Sequence, residues 1–174
     1  GAGIYNQGDL ALKNSKINYN QGQSSGGGLY TTRNYSAYNV EFIGNQSNNH
    51  GGGIYSTGGN NVSLPDTLTN CIIKNNYSTS RGGGVYYSDH RPYKMVNTLI
   101  TDNNAGSEES NNIYGGGIYS NLNTQGEIHP SIINCTIANN KVNGSSSSHG
   151  GVYVQGQSID VVNTIIWHNI PPNT

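Results

Sequence analysis

Five residues return six times along this chain: a run of glycine, one aliphatic residue and a tyrosine. They read GAGIY at Gly1, GGGLY at Gly26, GGGIY at Gly51, GGGVY at Gly82, GGGIY at Gly115 and HGGVY at His149. A pair of asparagines, always six positions apart, follows each one. The pairs are Asn14 and Asn20, Asn39 and Asn45, Asn70 and Asn76, Asn97 and Asn103, Asn134 and Asn140, and Asn163 and Asn169. The coils start near residues 1, 26, 51, 82, 115 and 149, so successive starts are 25, 25, 31, 33 and 34 residues apart. Constant motifs on elastic spacers mean stacked structural repeats whose loops bulge outward.

Backbone chemistry decides the kind of repeat. A glycine run costs about 1 kcal/mol per residue inside a helix, and dense Asn, Ser and Thr favour turns and strands. Short strand-like segments in coils of about 25 residues predict an all-β fold, a single right-handed parallel β-helix of about six coils. The columns agree. Two residues before the first asparagine stand Leu12, Ala37, Leu68, Met95, Ile132 and Val161; three after it stand Ile17, Phe42, Ile73, Ile100, Ile137 and Ile166. Ile4, Leu29, Ile54, Val85, Ile118 and Val152 form a third inward stack within the glycine motif. Strand alternation then turns the adjacent tyrosine outward. The alternation breaks at the first asparagine, which predicts a bend there, since Asn tolerates left-handed backbone angles. Stacked asparagines can also hydrogen-bond from coil to coil. Both columns, Asn14, Asn39, Asn70, Asn97, Asn134, Asn163 and Asn20, Asn45, Asn76, Asn103, Asn140, Asn169, are expected to be structural ladders.

Composition narrows the partners. A net charge of −1 gives no electrostatic case for nucleic acid. No stretch of about 18 apolar residues occurs that could span a bilayer as a helix. The sequence opens at Gly1 inside a repeat, so residues 1–174 are expected to be one β-helix domain, a mature product or a piece of a longer secreted protein.

Candidate chemistry is sparse. Cys71 and Cys135 share one column with Thr98 between them, so they should lie two coils apart, about 9–10 Å, and form no disulfide. The long loops after the tyrosine strand of coils 4 and 5 carry Asp89, His90, Arg91, Glu127 and His129. Stacking could gather these on one side, giving the ingredients of carboxylate-based sugar cleavage. No metal site is predicted; calcium is possible, but the nine scattered carboxylates do not support it. The glycine motif is no phosphate loop, since neither a helix nor a Lys-Ser/Thr pair follows it. The tyrosine column has two readings: an aromatic stripe nearly 25 Å long that suits sugars or proteins, or rings stacked on one another that stiffen the sheet. Asp66-Thr67-Leu68 matches a short O-glycosylation signal and would place Thr67 in a loop of coil 3.

At the glycine and asparagine motifs the sequence resembles the right-handed β-helix repeats of bacterial surface and secreted proteins. It is similar to the chlamydial polymorphic outer-membrane proteins, whose repeats carry GGA(I/L/V) and FxxN. "FIGN" at Phe42 to Asn45 fits the second motif, while glycine replaces alanine in the first. The closing "VVNTIIWHN" also looks like the last coils of secreted β-helix proteins from Bacteroidetes-like bacteria. The resemblance implies an extracellular or cell-surface bacterial location and specifies fold more than activity. The expected function is a non-enzymatic adhesin, surface fibre or stalk segment, binding a glycan or cell-surface protein through Tyr30, Tyr55, Tyr86 and Tyr119, with His90, Arg91 and His129 at the loop wall. Two alternatives stand beside it. One is a polysaccharide lyase or glycoside hydrolase fragment using the coil 4–5 loops. The other is a filament subunit that self-associates coil end to coil end.

Overall fold

A computed structural model describes residues 1–57, 65–88, 92–107, 113–122, 129–143, 149–156 and 158–170. Asp89, His90, Arg91 and Glu127 lie outside the described residues. The described chain is all-β and its strands pair in parallel, each with the strand one coil away. This is a parallel β-solenoid of six coils.

Three sheets wrap the interior. The tyrosine face has six strands, Ile4–Asn6, Leu29–Thr31, Ile54–Thr57, Val85–Ser88, Ile118–Asn121 and Val152–Gln155. The bend face has ten strands and folds along the first asparagine column. In coils 1 and 2 single strands, Leu10–Asn18 and Tyr35–Ile43, run through that bend. In later coils the strand breaks there, as in Tyr93–Val96 and Leu99–Thr101. A short face of two-residue strands, such as Tyr77–Ser78 and Asn104–Ala105, closes five of the coils.

Register follows the motifs. Tyr5 pairs with Tyr30, Tyr30 with Tyr55, Tyr55 with Tyr86, Tyr86 with Tyr119 and Tyr119 with Tyr153. The inward columns form the core: Leu29, Ile54, Val85 and Ile118 are buried, as are Leu68, Met95, Ile132, Phe42, Ile73, Ile100 and Ile137. Cys71 and Cys135 are buried free thiols, separated by Thr98, whose hydroxyl oxygen accepts from the Cys71 backbone N–H. Burial pushes both thiols above the ordinary cysteine range, so they fill space rather than react.

The bends have a shared cause. All six first-column asparagines hold φ between 47° and 54°. The residue before each second asparagine is also left-handed: Tyr19, Gly44, Asn75, Asp102, Asn139 and His168. The first glycine of the motif makes a further left-handed corner at Gly26, Gly51, Gly82 and Gly115, with φ of 65–71°. Asn and Gly are the residues for which that region is least costly.

The second asparagine column makes the main ladder. Each Oδ1 accepts both the backbone N–H and the side-chain Nδ2 of the asparagine one coil earlier, from Asn20 through Asn45, Asn76, Asn103 and Asn140 to Asn169, at 2.9–3.1 Å. Each Nδ2 from Asn45 onward also donates to a core carbonyl of the preceding coil, such as Ile73 O for Asn103 and Ile100 O for Asn140. Asn45, Asn76, Asn103 and Asn140 are fully buried. The first column is different. Its asparagines are exposed, and the bond from Asn39 Nδ2 to Asn14 Oδ1, 2.8 Å, joins only coils 1 and 2.

The ladder explains the third glycine. A Cβ on Gly84 would sit 2.6 Å from the Gly117 carbonyl oxygen and 3.1 Å from the Asn103 amide; Gly28, Gly53 and Gly117 repeat that geometry. Glycine and ladder asparagine are therefore two halves of one packing unit.

Two features depart from the sequence reading. Asp66-Thr67-Leu68 lies in the strand Asp66–Thr69, with Asp66 and Leu68 fully buried, so Thr67 is not in a loop. The corner between the tyrosine and bend faces holds an internal polar cluster. Its Tyr35 and Tyr87 hydroxyls are 2.6 Å apart, Tyr93 stacks on Tyr87, and Ser56 Oγ donates to Asp66 Oδ2 at 2.6 Å. Burial raises the Tyr35 and Tyr87 phenols well above their usual range and keeps them neutral.

Candidate functional site

The tyrosine face has the densest arrangement of recognition-type side chains. Strand alternation turns Tyr5, Tyr30, Tyr55, Tyr86, Tyr119 and Tyr153 away from the core, and parallel register stacks them. Neighbouring ring centroids are 4.7–5.3 Å apart with interplanar angles of 13–29°. Stacking hides the ring faces, so the row offers edges and phenolic hydroxyls rather than open aromatic planes.

Other residues join the row from the turn preceding each glycine motif. His50 stacks on Tyr86 at 4.6 Å and accepts a hydrogen bond at Nδ1 from the Arg81 backbone N–H. Burial, then the nearby Arg81 charge, lowers the His50 pKa to about 4, so the ring is neutral at ordinary pH. The Arg81 guanidinium lies 5.7 Å from the Tyr114 ring centroid and 5.3 Å from that of Tyr119. Its Nη1 donates to the Tyr119 hydroxyl, which in turn donates to Gln155 Oε1, each at 3.3 Å. Tyr114 stacks on Tyr153 at 4.4 Å, and His149 is exposed beside them.

These additions divide the stripe. Tyr86 and Tyr119, expected to face solvent, are 6% and 1% exposed. Tyr30, Tyr55 and Tyr153 are half-buried, and Tyr5 is 58% exposed. The accessible surface is therefore Tyr5, Tyr30 and Tyr55 at one end, with Tyr114, His149 and Tyr153 at the other. His129 is exposed at the loop wall, while its proposed companions His90 and Arg91 fall outside the described residues.

Sequence reasoning missed His50, Arg81, Tyr114 and a cleft. The first three precede a glycine motif by one residue, a position whose residue type changes from coil to coil: His50, Arg81 and Tyr114. The cleft, of about 450 Å³, opens at the start of the bend face in coils 1 to 3. Leu10, Ala11, Tyr35 and Ser36 line it, with Asp9, Asn34, Pro65 and Thr67. The jump in repeat spacing from 25 to 31 residues falls at coil 3, whose Pro65 and Thr67 are part of the lining. Among the described residues no group of three or more His, Cys, Asp or Glu could hold a metal ion. Among the same residues no helix is long and apolar enough to cross a membrane.

The model of the Chlamydia polymorphic membrane protein repeat matches residues 39–57. That stretch runs from the bend at Asn39 through ladder residue Asn45 and the glycine corner to the strand Ile54–Thr57. No curated protein and no solved structure matches the chain. The chain is a parallel β-helix repeat protein similar to the chlamydial polymorphic membrane protein repeats.

Proposed function

We propose that this chain is a module of a bacterial surface protein that binds a partner through its tyrosine face, without catalysing a reaction. The supporting observation is the stack of six tyrosines, extended by His50, Arg81, Tyr114 and His149. The likeness of residues 39–57 to a membrane-protein repeat of a bacterial genus supports the surface location. Edges and hydroxyls at strand spacing suit a ligand that repeats along its own length, an extended glycan or peptide chain, and several weak contacts then add through effective concentration.

Binding rests on Tyr30 and Tyr55, which combine partial exposure with locked rings, with Tyr114 and His149 as a second contact patch. Changing Tyr30 and Tyr55 together to Ser should abolish glycan-array or cell-surface adhesion while the β-sheet circular dichroism stays unchanged. Undiminished adhesion by that folded variant would remove the reading.

A further inference from the structure

The tyrosine face is polar without being charged. None of its six strands contains Asp, Glu, Lys or Arg. Alternation sets a second outward position two residues after each tyrosine. Thr57 and Asn121 occupy it within their strands, and Thr32 continues the register after Leu29–Thr31. Thr32, Thr57 and Asn121 are half-buried, as are Tyr30 and Tyr55. Coils 2 to 5, each with a described coil on either side, therefore present phenol, hydroxyl and amide groups in fixed rows. All three groups both donate and accept hydrogen bonds. Arg81 brings a charge to the covering layer, where its guanidinium faces the Tyr114 and Tyr119 rings and donates to the Tyr119 hydroxyl. A charged ligand meets no counter-charge on these strands, whereas a neutral one rich in hydroxyls finds partners at every step.

The period is the second constraint. From Tyr30 to Tyr119 successive ring centroids are 4.7–5.0 Å apart, so each kind of group recurs once per coil. The covering layer keeps the same step, since His50, Arg81 and Tyr114 each precede one glycine motif. A peptide strand lying along the axis repeats its same-face side chains about every 6.7 Å, and so slips by about 2 Å at each coil. A pyranose linked through equatorial positions on opposite sides of its ring advances by about one ring length, which is close to one coil. An α-1,4-linked chain instead curls away from a straight row. Because the tyrosine rings cover one another, no open aromatic plane remains for a sugar to lie on, and the hydroxyls and ring edges carry the contact.

We propose that the ligand of the tyrosine face is a neutral, linear β-1,4-linked glycan lying along the solenoid axis with one sugar per coil. The Tyr30 and Tyr55 hydroxyls hold it, with Thr32 and Thr57 alongside. This ligand class deepens the binding role given above and rests on it. Each added sugar meets a further coil, so individually weak contacts accumulate along the row.

Calorimetric titration of the 174-residue chain tests the ligand class. The probes are disaccharide to hexasaccharide series of β-1,4-linked glucose, mannose and N-acetylglucosamine, with α-1,4-linked glucose and β-1,4-linked mannuronate as controls. At least one neutral β-linked series should bind, with affinity rising about threefold per added sugar over the first four. The α-linked and mannuronate chains should bind at least about tenfold more weakly than the neutral β-linked chain of equal length. Tyr30→Phe combined with Tyr55→Phe keeps the ring stack and removes only the hydroxyls, and should lower affinity about tenfold. Equal affinity for the α-linked or the mannuronate chain would overturn the proposal, as would unchanged affinity in the Phe variant. Failure of all three neutral series would overturn it as well. The binding role itself is read separately: adhesion that still depends on Tyr30 and Tyr55 when no such glycan binds would keep that role and point to an extended peptide as the partner.

Discussion

Each coil turns two corners on asparagine, and the two corners do different work. At the bend, Asn14, Asn39, Asn70, Asn97, Asn134 and Asn163 point into solvent and contribute mainly a tolerated left-handed φ. Six residues on, Asn45, Asn76, Asn103 and Asn140 are buried, and the side chain of each makes four hydrogen bonds to neighbouring coils and the core backbone. The same amino acid is a backbone choice at one corner and a cross-link at the other. What separates them is the glycine opposite: Gly53, Gly84 and Gly117 leave the room the buried amides occupy, while nothing covers the bend.

The largest effect should follow from cutting the ladder. Asn103→Ala removes the acceptor of Asn76 N and Nδ2 and the donor to Ile73 O and Asn140 Oδ1. Each buried group left unpaired costs about 1–3 kcal/mol, so a loss of about 4 kcal/mol is expected in chemical denaturation. Filling the opposite side should come next. Gly84→Ala forces a Cβ against the Gly117 carbonyl and the Asn103 amide, and should cost about 3 kcal/mol by the same measurement.

At the bend the cost should be smaller. Asn97→Ala keeps φ near 49° without the side chain that eases it, for about 1 kcal/mol, and Asn97→Gly should be close to neutral. If Asn97→Ala proved as damaging as Asn103→Ala, the distinction between the corners would fail. The smallest effect concerns His50. Folding lowers its pKa to about 4 from the ordinary 6.5, so between those values the unfolded chain holds more protons and acid favours unfolding. The melting temperature should fall as pH drops from 6.5 to about 4, and His50→Gln should lose that part of the slope.

Most of the fold was legible because its determinants recur. The columns at Ile54, Leu68 and Ile73 repeat in every coil, and the outward tyrosine follows from strand alternation. The two asparagine columns were legible as structural but not as different, since burial depends on what faces them. The internal cluster of Tyr35, Asp66, Tyr87 and Tyr93 was hidden because Tyr35, Asp66 and Tyr93 share one column, four residues before the first asparagine, but no common chemistry. The covering of Tyr86 and Tyr119 was hidden for a related reason. His50, Arg81 and Tyr114 share a position but no chemistry, so only stacking reveals them as one layer. The outward row is therefore covered in its middle coils, at Tyr86 and Tyr119.

Exchange of the asparagine side-chain amides, followed by NMR in the unmodified protein, reads both corners at once. The Nδ2 protons of Asn45, Asn76, Asn103 and Asn140 donate in the buried ladder and should exchange only when the coils separate, whereas those of Asn70, Asn97 and Asn134 should exchange at nearly the rate of a free amide. Fast exchange at Asn76 and Asn103, equal to that at the bend, would contradict the ladder as the element that joins coil to coil.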